Sequence, residues 1–289
     1  MSSPSFEKIY EPLMKLKDIC GDTIPQSEIY NETWMLRLVL SLMSKVDTKS
    51  NTFTDSQSDS HLRDVCMAVK CGWISEGGLK PIFKQESTTW TDAIVGAVQK
   101  SSSNRNIEKN EAAIYKGVIV IEAKMGSDLS AGGSRLKGYN QVARNIACLA
   151  RFMVEGCENV DIKTIKKCKF LVFAPKAKIG HWRNLDEKQQ KKKRDRFYSP
   201  DNMIESTSRV LDEIKKKYVV RQELKEKWQK VKTAVEEICK HSIVISWDDV
   251  IKFLQNHLKD YAPCLGCLGC LNDFYNQAKE LSGINIKEC

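Results

Sequence analysis

Nowhere in the 289 residues does an uninterrupted apolar run of membrane length occur, and the opening Met1-Ser2-Ser3-Pro4-Ser5-Phe6-Glu7-Lys8 holds no apolar stretch of signal-peptide type. These two absences predict a cytosolic protein with no membrane partner. Disulfides rarely persist in that compartment, so the eleven cysteines are expected as reduced thiols, mostly in cores. The four histidines stand apart from one another and offer no zinc-ligand spacing. No Gly-rich loop is followed by Lys and Ser or Thr: Gly132-Gly133-Ser134-Arg135-Leu136-Lys137-Gly138 lacks the Walker spacing, which excludes a nucleotide-driven motor. A G-x-S-x-G elbow and any Ser, His and Asp grouping are missing too, which argues against acyl hydrolases. Internal repeats, heptad arrays and low-complexity tracts are absent.

What is present is an ordinary globular composition with a basic excess. Hydrophobic residues make up 42% and charged residues 29%, enough to bury a core. Lys and Arg number 46 against 37 Asp and Glu, a formal charge of +9 that favours an anionic partner such as a nucleic-acid backbone. Much of the excess sits in a few runs: Lys191-Lys192-Lys193-Arg194, Lys215-Lys216-Lys217 and the segment 163–169. For any single run a solvated helix face explains the charge as well as a ligand does.

Periodicity supplies the outline. Residues 28–46 carry Met35, Val39, Leu42 and Val46 at helical spacing, with Ser27 as N-cap and Glu32 on the same stripe one turn earlier. Residues 47–60, rich in Ser, Thr, Asp and Asn, read as a surface loop. The segments 79–85, 91–99 and 112–125 read as three consecutive strands, with 101–106 as the loop between the second and third. A helix follows Gly132-Gly133 and runs to about residue 155, with Val142, Ile146, Leu149 and Met153 on one face. Phe170-Leu171-Val172-Phe173-Ala174, closed by Pro175, predicts a buried fourth strand. Beyond it, 188–240 predicts two exposed helices divided near Tyr198-Ser199-Pro200, then an edge strand at Ile243-Val244-Ile245, then helices at 250–258 and 272–281.

The chemistry concentrates at Val118-Ile119-Val120-Ile121-Glu122-Ala123-Lys124, where an apolar strand ends in an acid and a base two residues apart. Alternation places Glu122 and Lys124 on one face and Ala123 on the other. Charges at a buried strand end are costly unless they pair or bind something. A salt-bridged strand end is the plain reading if the segment stands alone, but the preceding strand also opens on an acid, Asp92 in Thr91-Asp92-Ala93-Ile94-Val95-Gly96. Two such strands as neighbours bring Asp92 to Glu122. A hard divalent cation is the natural remedy for the repulsion, activating water and neutralising charge on a phosphate, with Lys124 holding the phosphate or the nucleophile.

An acid at a strand start, a loop, and a hydrophobic strand ending in Glu-x-Lys resemble the catalytic signature of the PD-(D/E)XK nuclease superfamily. Glu32 looks like the N-terminal helix acid of these enzymes, and Gln141 in Tyr139-Asn140-Gln141-Val142-Ala143-Arg144-Asn145 looks like the glutamine many members place on the helix after the Glu-x-Lys strand. The order helix, three strands, helix, strand from residue 28 to 174 matches the family core. Thr91 stands where the motif's proline would be, a departure the family tolerates because the Asp supplies the chemistry. The resemblance implies an α/β protein with a restriction-endonuclease-like core: a central mixed sheet flanked by helices over residues 1–187, with a mainly helical C-terminal elaboration over 188–289. It implies Mg2+ or Mn2+ on Asp92, Glu122 and the carbonyl of Ala123, with Lys124 beside the water and Glu32 and Gln141 in support. Its substrate would be DNA, held without sequence readout by the basic segments after Lys163 and around Lys191.

Two rivals stand beside this reading: a non-catalytic nucleic-acid-binding module on the same fold, separated by divalent-metal dependence, and an RNA-directed nuclease, separated by testing both substrates. Analogy alone suggests defence against foreign DNA, a homodimer, or a partner protein. Arg135 and Arg144 are candidates for phosphate contact, against solvation as the ordinary fate of an exposed basic residue. Glu32 is equally explained as a helix N-terminal acid. Cys264-Leu265-Gly266-Cys267-Leu268-Gly269-Cys270 has the two-residue spacing of zinc and iron-sulfur sites, which need a fourth ligand that Cys20 or Cys289 could supply. Without a second Cys pair it reads as small apolar packing in a turn.

Overall fold

The computed structural model describes residues 32–49, 56–96, 98–100, 107–108, 117–125, 136, 139–156, 162–184 and 200–281. In chain order they form α1 (Glu32–Met43), α2 (Gln57–Val69), β1 (Trp73–Leu79), β2 (Thr89–Gly96), β3 (Gln99–Lys100), β4 (Ile107–Glu108) and β5 (Val118–Ala123). There follow α3 (Gln141–Gly156), α4 (Ile162–Ile165), β6 (Lys169–Ala174), α5 (Lys176–Arg183), α6 (Pro200–Lys217), α7 (Trp228–Lys240), β7 (Ile243–Ser246), α8 (Trp247–Leu258) and α9 (Ala262–Leu281). Five strands make one sheet in the order β1-β2-β5-β6-β7. The first three pair antiparallel and the last three parallel, so β5 is the strand where the sheet changes sense.

Strand alternation builds two cores from one sheet. Val118 and Val120 join Phe170, Val172 and Val244 under α3, α6 and α7. Ile119, Ile121 and Ala123 join Leu171, Phe173 and Ile245 under α1, α2, α8 and α9. The result is three layers, helices on both faces of a mixed sheet. All six residues of β5 are buried, which explains why it reads as a continuous apolar run rather than an alternating one. Each buried aliphatic side chain contributes roughly 1.5 to 3 kcal/mol over its exposed state, so a strand packed on both faces is a firm mount for a functional group.

The first strand lies six residues earlier than the sequence predicts, at Trp73–Leu79 instead of 79–85. Its Glu76-Gly77-Gly78 reads as a turn, yet Gly77 sits inside the strand because a Cβ there would come within 3.0 Å of both Ile94 and Ile107 Cδ1. Residues 80–88 are instead a loop, tied down by two arginines: buried Arg151 donates to the Pro81 carbonyl, and half-buried Arg144 donates through Nε to Glu86 at 3.2 Å. The polar stretch read as a loop to residue 60 gives way at Ser56, whose hydroxyl accepts from the Asp59 N–H at 3.1 Å and caps α2.

The two helices expected over 188–240 are divided at 218–227 and not near Pro200: they begin at Pro200 and Trp228, residues 188–199 lie outside the described residues, and neither helix is simply exposed. Met203, Ile204, Leu211 and Ile214 of α6, and Val231, Ala234, Val235 and Ile238 of α7, lie in the core beside α3. The predicted edge strand is β7. Residues 200–281 thus add a strand to the sheet and helices to both layers. The cysteine run is not a turn: it lies in α9, with Cys264 and Cys267 buried on the face that carries Leu268 and Leu271. Cys20, Cys289 and the Cys270 side chain lie outside the described residues. Among the described residues no helix is long and apolar enough to cross a membrane.

Candidate active site

Asp92 and Glu122 come together through strand register. Ala93 pairs with Ile121 in the antiparallel β2 and β5, so one step further along Asp92 stands across from Glu122. Its Oδ2 accepts the Ala123 N–H at 2.7 Å, a side chain completing the strand's last rung. On the other side the Lys124 N–H donates to the Phe173 carbonyl of β6 at 2.8 Å. The end of β5 is therefore held from both neighbours.

Glu122 is only 1% exposed and Lys124 7%. The Lys124 ammonium donates to Glu122 Oε1 at 2.7 Å. Gln141 Nε2 donates to the same oxygen, and Asn145 Nδ2 donates to Oε2 at 3.2 Å. Both amides come from the first turns of α3, whose start is fixed by Asn140 Oδ1 accepting the Ala143 N–H at 2.8 Å. Three side-chain donors, from Lys124, Gln141 and Asn145, thus hold the orientation of the carboxylate. Burial, then the nearby Asp92 carboxylate, push the Glu122 carboxyl well above the usual range, against the opposing pull of Lys124. Desolvation wins over a single ion pair here.

That imbalance is what a divalent cation would relieve. Two carboxylates with hard oxygen donors suit magnesium or manganese, which keep several waters when bound by one or two acids. Among the described residues no three His, Cys, Asp or Glu side chains gather into a metal cage, so Asp92 and Glu122 are the acidic donors the described site offers.

The remaining predicted residues fall as follows. Glu32 is the first residue of α1, which lies on the opposite face of the sheet from the Glu122 side chain; its own side chain lies outside the described residues. Arg135 is outside them as well. Arg144 serves the fold rather than standing ready for phosphate, since besides Glu86 it donates to the Ser87 carbonyl at 3.2 Å. Two residues escape a sequence reading. Asn145 lies one helical turn beyond Gln141, a spacing that marks a shared face. Trp247, fully buried at the start of α8, donates its indole N–H to the Lys124 carbonyl at 2.9 Å and meets Phe173 edge-on at 5.2 Å. No local pattern announces it.

Two features frame the approach to the site. Trp90, two residues before Asp92, is 50% exposed opposite Gly78. Glu76, across β1 from Asp92, has φ 54°, the one non-glycine residue in the left-handed region among those described. Such strain persists where surrounding structure enforces it, and it clusters at functional sites. No protein-family model matches the chain, and no curated protein or solved structure matches it.

Proposed function

We propose that this chain is a divalent-metal-dependent nuclease of the PD-(D/E)XK type, with a restriction-endonuclease-like core, that hydrolyses phosphodiester bonds in DNA. The observation that carries the reading is the constellation of half-buried Asp92 with buried Glu122 and Lys124 at the end of the strand where the sheet changes sense. Asp92, Glu122 and the carbonyl of Ala123 would hold the metal. A bound magnesium or manganese ion supplies Lewis-acid charge at the phosphate and a more acidic water.

The chain's own residues supply position. Glu122 and Lys124 are fixed to one another, so an incoming phosphate meets an ammonium whose location is already set, with little ordering left to do at the moment of reaction. Gln141 and Asn145 keep the Glu122 carboxylate from rotating toward Lys124 alone. Trp247 anchors the Lys124 backbone, so the ammonium swings on a short tether. Burial excludes bulk water from these groups and strengthens their field. Trp90 offers an exposed ring on which an unpaired base can stack near the scissile bond.

The test is cleavage of supercoiled plasmid, linear duplex, single-stranded DNA and RNA by purified protein with magnesium, manganese or chelator, alongside Lys124→Ala. Metal-dependent cutting of DNA lost in the variant supports the reading. Binding without cutting under every condition would establish a non-catalytic module, and cutting confined to RNA would move the substrate class.

A further inference from the structure

The opposite end of β5 holds a second feature, a recess of about 530 Å³ between α2, the ends of β2 and β5, and the turn that leads into β6. From Gly117 at its floor to Glu122 is about 16 Å along the strand, so it is separate from the acidic site. Three lysines line it, Lys166, Lys167 and Lys169, against one acid, Asp64. Its other wall is apolar and soft: Met67, 45% exposed, with Ala68 and Ile119. The volume is within the range of small-molecule sites, roughly 300 to 1,000 Å³, and far beyond what a lone inorganic anion needs.

The floor is backbone. Gly96 and Gly117 take φ of 133° and 86°, and a Cβ on them would come within 2.7 Å of the Gly117 carbonyl oxygen and 2.6 Å of Lys167, respectively. Two glycine backbones meet there against Lys167, and their missing side chains leave the recess open above them. Lys169 is pinned at the edge, donating to Asp64 and lying 3.3 Å from His61 Nδ1. Burial and then Lys169 hold the His61 imidazole down to about 4, so it stays neutral near pH 7 and the local field is left to the lysines.

We propose that this recess is a binding site for a nucleoside phosphate, its phosphate on Lys166 and Lys167 and its base against Met67, Ala68 and Ile119. The two-part lining selects the class: ammonium groups recognise the phosphate, and an adaptable thioether with aliphatic neighbours packs a flat ring. The assignment stands independently of the nuclease reading. It also separates the 163–169 basic run from DNA holding at the acidic site, since the two lie at opposite ends of one strand.

Cys71 lines the recess and its thiol is exposed, which provides a reporter. The full-length protein, kept in chelator so that no cleavage occurs, is titrated calorimetrically with AMP and ATP, and with inorganic phosphate and adenosine as the two halves. Maleimide labelling of Cys71 is followed by peptide mass spectrometry in parallel. The expected result is that nucleotide binds at least tenfold tighter than either half and slows Cys71 labelling. Lys166→Glu with Lys167→Glu should abolish both effects, and Met67→Glu should weaken nucleotide binding while sparing phosphate, with melting temperatures that confirm folded variants. The proposal fails if no nucleotide binds, if phosphate alone binds as tightly, or if the variants bind unchanged. It fails equally if only a short oligonucleotide protects Cys71, because the recess would then be part of a nucleic-acid track.

Discussion

The two ends of β5 differ in what they do with charge. At the Glu122 end Glu122 and Lys124 are buried, Asp92 is half-buried, and the three are cross-linked through β5, α3 and β6. At the Gly117 end the charges line an open recess, where Lys169 pairs with Asp64. Burial with full hydrogen bonding buys geometry, while exposure keeps groups available to an outside ligand. Substitutions at the first end should therefore cost reaction rate, and those at the second should cost binding alone.

The sharpest way to break that contrast is at the carboxylates. Glu122→Gln and Lys124→Ala are each expected to lower plasmid cleavage in magnesium by roughly a thousandfold, the scale seen when one electrostatic stabiliser is lost. Glu122→Gln keeps the shape but leaves the buried Lys124 ammonium without its carboxylate and turns an amide NH2 toward a donor, so its melting temperature should fall by several degrees while the protein stays folded. Cleavage within tenfold of the parent would remove Glu122 from the site. Next in size is Trp247→Phe, which keeps the packing on Phe173 but strands the Lys124 carbonyl. A cost of about 1 to 3 kcal/mol in urea unfolding is expected, together with slower cleavage at unchanged KM.

Much of the site is legible in the sequence because its chemistry is local. Asp92, Glu122 and Lys124 interrupt apolar strands, so residue type and spacing point to them directly, whereas Gln141 stands out only through the family resemblance. The parts that escape are set by distance or by backbone geometry. Trp247 acts on a residue 123 positions away. β1 hides because its glycines satisfy close packing against Ile94 and Ile107, whereas glycine pairs ordinarily signal a turn. The burial of α6 and α7 hides for another reason: sparse apolar residues suffice when each one lands on the α3 face.

Two smaller effects sharpen the comparison further. Trp90→Ala should raise KM a few-fold on single-stranded DNA and less on duplex, where bases are already stacked, with kcat little changed. An equal effect on both substrates would assign Trp90 to packing instead. At the recess end, His61 offers a stability signature. Its pKa is lowered from 6.5 to about 4, so between those values the unfolded chain binds more protons than the folded one. Its contribution is complete above pH 6.5 and is lost as pH falls toward 4. His61→Gln should flatten that part of the stability profile in urea titrations, whereas the Glu122 variant should leave it in place.

The indole bond from Trp247 to Lys124 also sets an order of events. Asp92, Glu122 and Lys124 leave the ribosome long before β7 and α8 exist, and α8 is what closes over the strand end. A nascent chain that has not reached residue 247 carries every acid and base of the site without the clamp that fixes its lysine. The fixed geometry of that lysine is thereby deferred until residue 247 has been made and folded into place, an order of assembly written into one long-range hydrogen bond.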